Sequence, residues 1–284
     1  VLERNTSRFG GGVCMVNGSR MEESIVSSNY ASSSAGGAAL TQSEMHRSRI
    51  ECNRAQDGSG GVSAALNSLL RQCHIGGNGN DDAGVVYLTA TSVVAACEIV
   101  SNICGSGTVT IWGDACLVTN CTIIRNRART SGGGVVLNGA SYALSSRIEG
   151  NAAETQSGGG ILLLDGRARV INCTVAGNGA AEHGGGVWMS GGLLSNCTIA
   201  GNSAGTGAPK GGFGGGVYVQ NGGCVYFCVI TGNMAYGPAS GGNYGQGGGV
   251  YCNNSTIFNS RVTGNRATGI WGGGGIYFSG GAVY

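Results

Sequence analysis

Apolar and small residues recur along this chain on a period of roughly 25 residues, and asparagine marks each period. Asn5, Asn29, Asn53, Asn78, Asn102, Asn126, Asn151, Asn178, Asn202, Asn233 and Asn265 follow one another at spacings of 24, 24, 25, 24, 24, 25, 27, 24, 31 and 32 residues. Three positions before each stands an aliphatic residue, Leu2, Val26, Ile50 and so on to Val262. Five before, from Ser24 onward, the residue is always serine or cysteine, and two after it is most often alanine. A second anchor, glycines followed by an apolar, any, apolar triplet, precedes the asparagine by about sixteen positions, as in Val135/Leu137, Val187/Met189 and Val250/Cys252.

Alternation on a period of two predicts strands, and no stretch carries a helical period. Three short strands per period, with glycine or asparagine at the bends, predict an all-β fold: a single-stranded right-handed parallel β-helix of about eleven turns. Equivalent residues then stack about 4.8 Å apart, and the rod is roughly 50 Å long. The asparagines become a structural ladder at a bend, where a left-handed backbone suits them and their amides bond along the rod. Residues 1–284 read as one β-helix domain without a cap at either end. The expectation is a fragment of a longer solenoid or a subunit that stacks head to tail.

Composition narrows the class. The 58 glycines with only 2 prolines and 11% charged residues fit a folded chain with many tight bends rather than collagen or a disordered tail. A net charge of +2 with scattered basic residues predicts no nucleic-acid partner, and no apolar run is long enough for a membrane-spanning helix. Six of the 12 cysteines, Cys73, Cys97, Cys121, Cys173, Cys197 and Cys228, share the serine column. They read as small core residues, stacked near the edge of disulfide geometry. The sequons at Asn120, Asn172 and Asn196 fall six before the ladder asparagine, at a predicted left-handed bend, so the repeat accounts for them.

The motifs "GGGV" at 132–135, 184–187, 214–217 and 247–250, with "IxxN" or "VxxN" at 123–126, 199–202 and 262–265, resemble the pectin-lyase-like right-handed parallel β-helix superfamily. Within it they are most similar to the bacterial surface repeats called polymorphic outer membrane proteins, with isoleucine or valine in place of phenylalanine. The resemblance implies a secreted or cell-surface bacterial protein. It also implies a rival, since the superfamily includes pectate lyases and polygalacturonases, which need clustered carboxylates. Here the adjacent acids are Asp81 and Asp82, with Asp57 one turn earlier, and "RIE" at 49–51 and 147–149 has glutamate where a basic residue is wanted. No catalytic residue, metal or cofactor is assigned; "GGNGNDDAG" at 76–84 matches a calcium-binding nonapeptide template once.

His46, His74 and His183 read as solvated surface residues. The informative outward feature is a column one residue after the first anchor: Tyr87, Thr110, Val136, Leu162, Trp188, Tyr218, Tyr251 and Tyr277. A contiguous apolar stripe calls for cover by the protein's own loops, a sugar platform or a subunit contact. Two loops, 203–213 and 234–246, exceed what the repeat requires and arise beside it. Tyr87, Trp188, Tyr218, Tyr251 and Tyr277 are therefore the candidate contact residues. The expected function is a non-enzymatic fibre or adhesive stalk that associates head to tail or laterally, or touches a polysaccharide or host surface. The alternatives are a polysaccharide lyase or hydrolase and a non-catalytic glycan-binding module.

Overall fold

The computed structural model describes residues 1–207, 211–238, 244–270 and 272–284. Within them the chain is an all-β solenoid of eleven stacked turns in which every strand pairing is parallel. One turn shows the plan: Val187–Ser190, Leu193–Ser195, Thr198–Ala200 and the two-residue Ser203–Ala204 follow one another around the coil. Val187 pairs with Ile161 below and Val217 above, Leu194 with Val170 and Val225, Ile199 with Val175 and Ile230, and Ala204 with Ala180 and Ala235. A turn thus carries four strands, not the three that alternation predicts. The fourth has two residues, too few to display a period of two.

The third and fourth strands build separate eleven-stranded sheets, whereas the first and second join into one of twenty strands. The joining elements are Val250–Phe258 and Ile276–Val283, which run unbroken through the corner. Inward residues form the core columns: Val26, Ile50, Ile75, Ile99, Ile123, Ile148, Val175, Ile199 and Ile230 are all 0% exposed. Burying one such side chain contributes about 1.5–3 kcal/mol. Each touches its equivalents above and below, so stability accumulates turn by turn.

The asparagine ladder runs without a break. Asn126 donates its backbone N–H and its Nδ2 to Oδ1 of Asn151, both at 3.0 Å, and Nδ2 also donates to the Ile99 carbonyl at 3.0 Å. The same triple bond set links Asn29, Asn53, Asn78, Asn102, Asn151, Asn178, Asn202 and Asn233 to their neighbours. Asn265 is only partly buried and donates Nδ2 to the Ile230 carbonyl. One expectation is corrected: the left-handed residue is the one before the asparagine, for example Ser28, Arg125, Gly177 and Gly201 at φ 56°, 54°, 61° and 63°. That placement leaves the asparagine extended enough to aim its amide along the rod, and it accounts for the glycine of "GN".

The serine and cysteine column is a second polar ladder. Ser48 Oγ accepts the Ser24 N–H at 3.1 Å, Cys97 Sγ the Cys73 N–H at 3.4 Å, Ser146 Oγ the Cys121 N–H at 3.1 Å and Ser260 Oγ the Cys228 N–H at 3.0 Å. The cysteines are core residues as expected, and they also serve as hydrogen-bond acceptors. All twelve cysteines are unbridged. Asn120, Asn172 and Asn196 occupy exposed left-handed bends at φ 52°, 57° and 53°.

Candidate functional site

The first strand of each turn sets the spacing of the candidate contact column. Tyr87 pairs with Thr110, Thr110 with Val136, Val136 with Leu162, Leu162 with Trp188, Trp188 with Tyr218, Tyr218 with Tyr251, and Tyr251 with Tyr277. In-register pairing stacks the aromatic side chains. The Trp188 and Tyr218 rings lie 6.0 Å apart at 1°, Tyr218 and Tyr251 5.0 Å apart at 1°, and Tyr251 and Tyr277 5.2 Å apart at 12°. Such offset stacks contribute about 0.5–1.5 kcal/mol per pair beyond area burial. Tyr87 stands apart from this stack, four turns from Trp188 with Thr110, Val136 and Leu162 between them.

Those three intervening residues are only 9%, 3% and 8% exposed, so an outward-facing position is here not a solvated one. The reason lies in the first glycine of the "GGG" anchor. Gly132, at φ 66°, lies so close over Val136 that a Cβ there would overlap the valine Cγ2. Gly184, at φ 60°, is likewise placed 2.8 Å by its would-be Cβ from the Trp188 Cβ. The glycine arc folds back over the strand, which only a residue without a side chain permits.

The two long loops supply a second aromatic row. Phe213 stacks on Tyr251 at 4.7 Å and on Tyr244 at 5.2 Å. His183 stacks on Phe213 at 4.9 Å and on Tyr218 at 5.3 Å. The middles of both loops, 208–210 and 239–243, lie outside the described residues. His183 is therefore not the solvated loop residue the sequence suggests: its Nδ1 accepts the Phe213 N–H at 3.1 Å, and burial pushes its pKa down to about 4. Burial also raises the phenol pKa values of Tyr87, Tyr218 and Tyr251. The spacings of 31 and 32 residues are the sequence signal for these loops; nothing in the pattern shows where Phe213 and Tyr244 return.

The other two histidines also differ from expectation. His46 is buried, with Nε2 3.0 Å from Glu44 Oε2. His74 is half-buried between Glu98 at 2.8 Å and Glu51 at 3.4 Å. Of the acids, Asp81 is exposed and paired with Arg129 at 2.8 Å, while Asp57 lines a cleft with Tyr87. Four turns separate Asp81 from His183, and the coil does not bring them together. Among the described residues no group of three or more His, Cys, Asp or Glu side chains is placed to hold a metal, and no helix is long and apolar enough to cross a membrane.

The family model of the right-handed beta helix region matches residues 106–283, well over half of the chain and the whole aromatic wall. The chain belongs to the right-handed β-helix family. Turns ahead of the matched segment share the same strand order and ladders, so the right-handed β-helix extends through them. Comparison with curated proteins and with solved structures finds no match. Membership establishes the fold; the chemistry of a β-helix depends on the side chains mounted on it.

Proposed function

We propose that this β-helix is a non-enzymatic structural scaffold, secreted to or displayed at a bacterial cell surface, and that its aromatic wall is a lateral contact between rods. The stacking of Trp188, Tyr218, Tyr251 and Tyr277 carries this reading. Rings stacked along the axis use their faces on one another, so the wall presents half-buried ring edges and phenol groups. A row of edges packs well against the side chains of another protein surface. It suits a sugar ring less well, because sugars stack on open faces. The tie between Asp81 and Arg129 supports a non-catalytic role for the adjacent acids. Electron microscopy with light scattering tests the proposal: wild-type protein associates side by side, and Trp188→Ala with Tyr251→Ala reduces association at unchanged fold. Discrete monomers under all conditions, or polysaccharide cleavage lost in Asp81→Ala, would overturn it.

One observation favours a glycan contact elsewhere. Tyr87 has Ser63 rather than an aromatic residue below it, and it borders a cleft of about 360 Å³ lined by Ser33, Ser34, Asp57, Ser59 and Ser63. An open ring beside hydroxyls and a carboxylate is an arrangement that holds a saccharide. Oligosaccharide binding lost in Tyr87→Ala and kept in Trp188→Ala is the expected signature.

A further inference from the structure

Two runs of three cysteines stack on successive turns inside the rod: Cys73, Cys97 and Cys121, then Cys173, Cys197 and Cys228. All six are free and no more than 2% exposed. Their surroundings repeat. Each Sγ lies 3.1–3.4 Å from the carbonyl two residues earlier, of Arg71, Ala95, Thr119, Ile171, Ser195 and Tyr226 in turn. Five of the six also lie 3.4–3.7 Å from a core-column carbonyl, of Met45, Val94, Ala143, Val170 or Leu194. The shared contacts mean a shared side-chain direction. Parallel side chains in a ladder are separated by the strand repeat, so neighbouring sulfurs stand about 4.8 Å apart.

A disulfide needs its sulfurs about 2.05 Å apart, which these reach only by leaving the ladder. A zinc–thiolate bond is about 2.3 Å, and two bonds of that order laid end to end span about 4.6 Å. A linear two-coordinate ion therefore fits between neighbours that stay in place, and thiolates select soft ions such as copper(I). We propose that each run binds a soft monovalent cation of the copper(I) class, held between stacked thiolates. Binding releases two protons for the two thiols engaged, transfers no electron, and leaves one negative charge on the buried unit. The Cys73 and Cys173 N–H groups, which already donate to Cys97 and Cys197 at 3.4 and 3.3 Å, stabilise that charge.

Silver(I), a redox-silent ion of the same class, is the probe. Reduced protein receives silver nitrate in the folded state and, separately, during refolding, with a several-fold excess of a monothiol to strip isolated cysteines. Native mass spectrometry and proton release are then read. Wild-type protein keeps silver in both runs. Cys97→Ser loses the first run's ion, Cys197→Ser the second's, and the double variant keeps none, whereas Cys73→Ser and Cys121→Ser leave a pair and keep theirs. Serine stands naturally in this column at Ser24, Ser48, Ser146 and Ser260, so these variants fold, as circular dichroism checks. No silver on wild-type protein by either route, silver retained in the double variant, loss in the flanking variants, or isolated protein two mass units light per run through a disulfide would each overturn the proposal.

Discussion

Phe213 meets His183 twice, donating its backbone N–H to Nδ1 at 3.1 Å and laying its ring on the imidazole at 4.9 Å. Burial and the hydrogen bond both want a neutral histidine, since burial penalises the charged ring and a proton on Nδ1 removes the acceptor. The folded pKa is near 4 against 6.5 for the free side chain. Between those values the unfolded chain binds more protons, so the stabilisation is complete above pH 6.5 and is lost as pH falls towards 4. Urea melts of wild-type protein should lose about 1–3 kcal/mol from pH 7.5 to pH 4.5 through this group. His183→Phe should flatten that part of the profile.

The asparagine ladder should be sensitive in its interior. Asn178→Ala removes the acceptor of the Asn151 N–H and Nδ2 and leaves the Ile148 carbonyl without its donor. Leaving such buried groups unpaired costs about 1–3 kcal/mol each before relaxation. Denaturation midpoints should fall sharply for Asn178→Ala and barely for Asn5→Ala, since Asn5 is exposed.

Glycines of two kinds can be told apart by substitution. A Cβ on Gly133 would collide with the Gly159 carbonyl oxygen one turn above, whereas Gly222 has nothing within 4 Å and only its φ of 75° to resist a side chain. Gly222→Ala should cost about 1–2 kcal/mol, the ordinary left-handed penalty. Gly133→Ala should cost more, because backbone stacked on backbone cannot yield. Paired thermal melts read the order.

The ion pair of Asp81 with Arg129 bridges two turns on the surface, with both side chains more than half exposed. Screening and side-chain entropy limit such pairs to about 0–1 kcal/mol. A double-mutant cycle of Asp81→Ala and Arg129→Ala should give a coupling in that range that shrinks in high salt.

Much of this molecule was readable from period alone. In a coil, a residue's chief neighbour is its own equivalent one turn away, so the repeat of Ile123, Asn126 and Cys121 determined the core columns, the ladders and the bends at Asn120, Asn172 and Asn196 without any knowledge of tertiary contacts. The same logic placed Trp188, Tyr218, Tyr251 and Tyr277 in one stack. Other features had no repeat equivalent to read them from. A two-residue strand is too short to show alternation, which hid the fourth strand, and the left-handed position before each asparagine depends on where the amide must point. The burial of Thr110, Val136 and Leu162 follows from a glycine arc folding back over the strand, and the stacking of His183 on Phe213 and Tyr218 from loops of unequal length. Periodicity specifies contacts between equivalents; contacts between loop and strand are settled only when the chain has closed on itself.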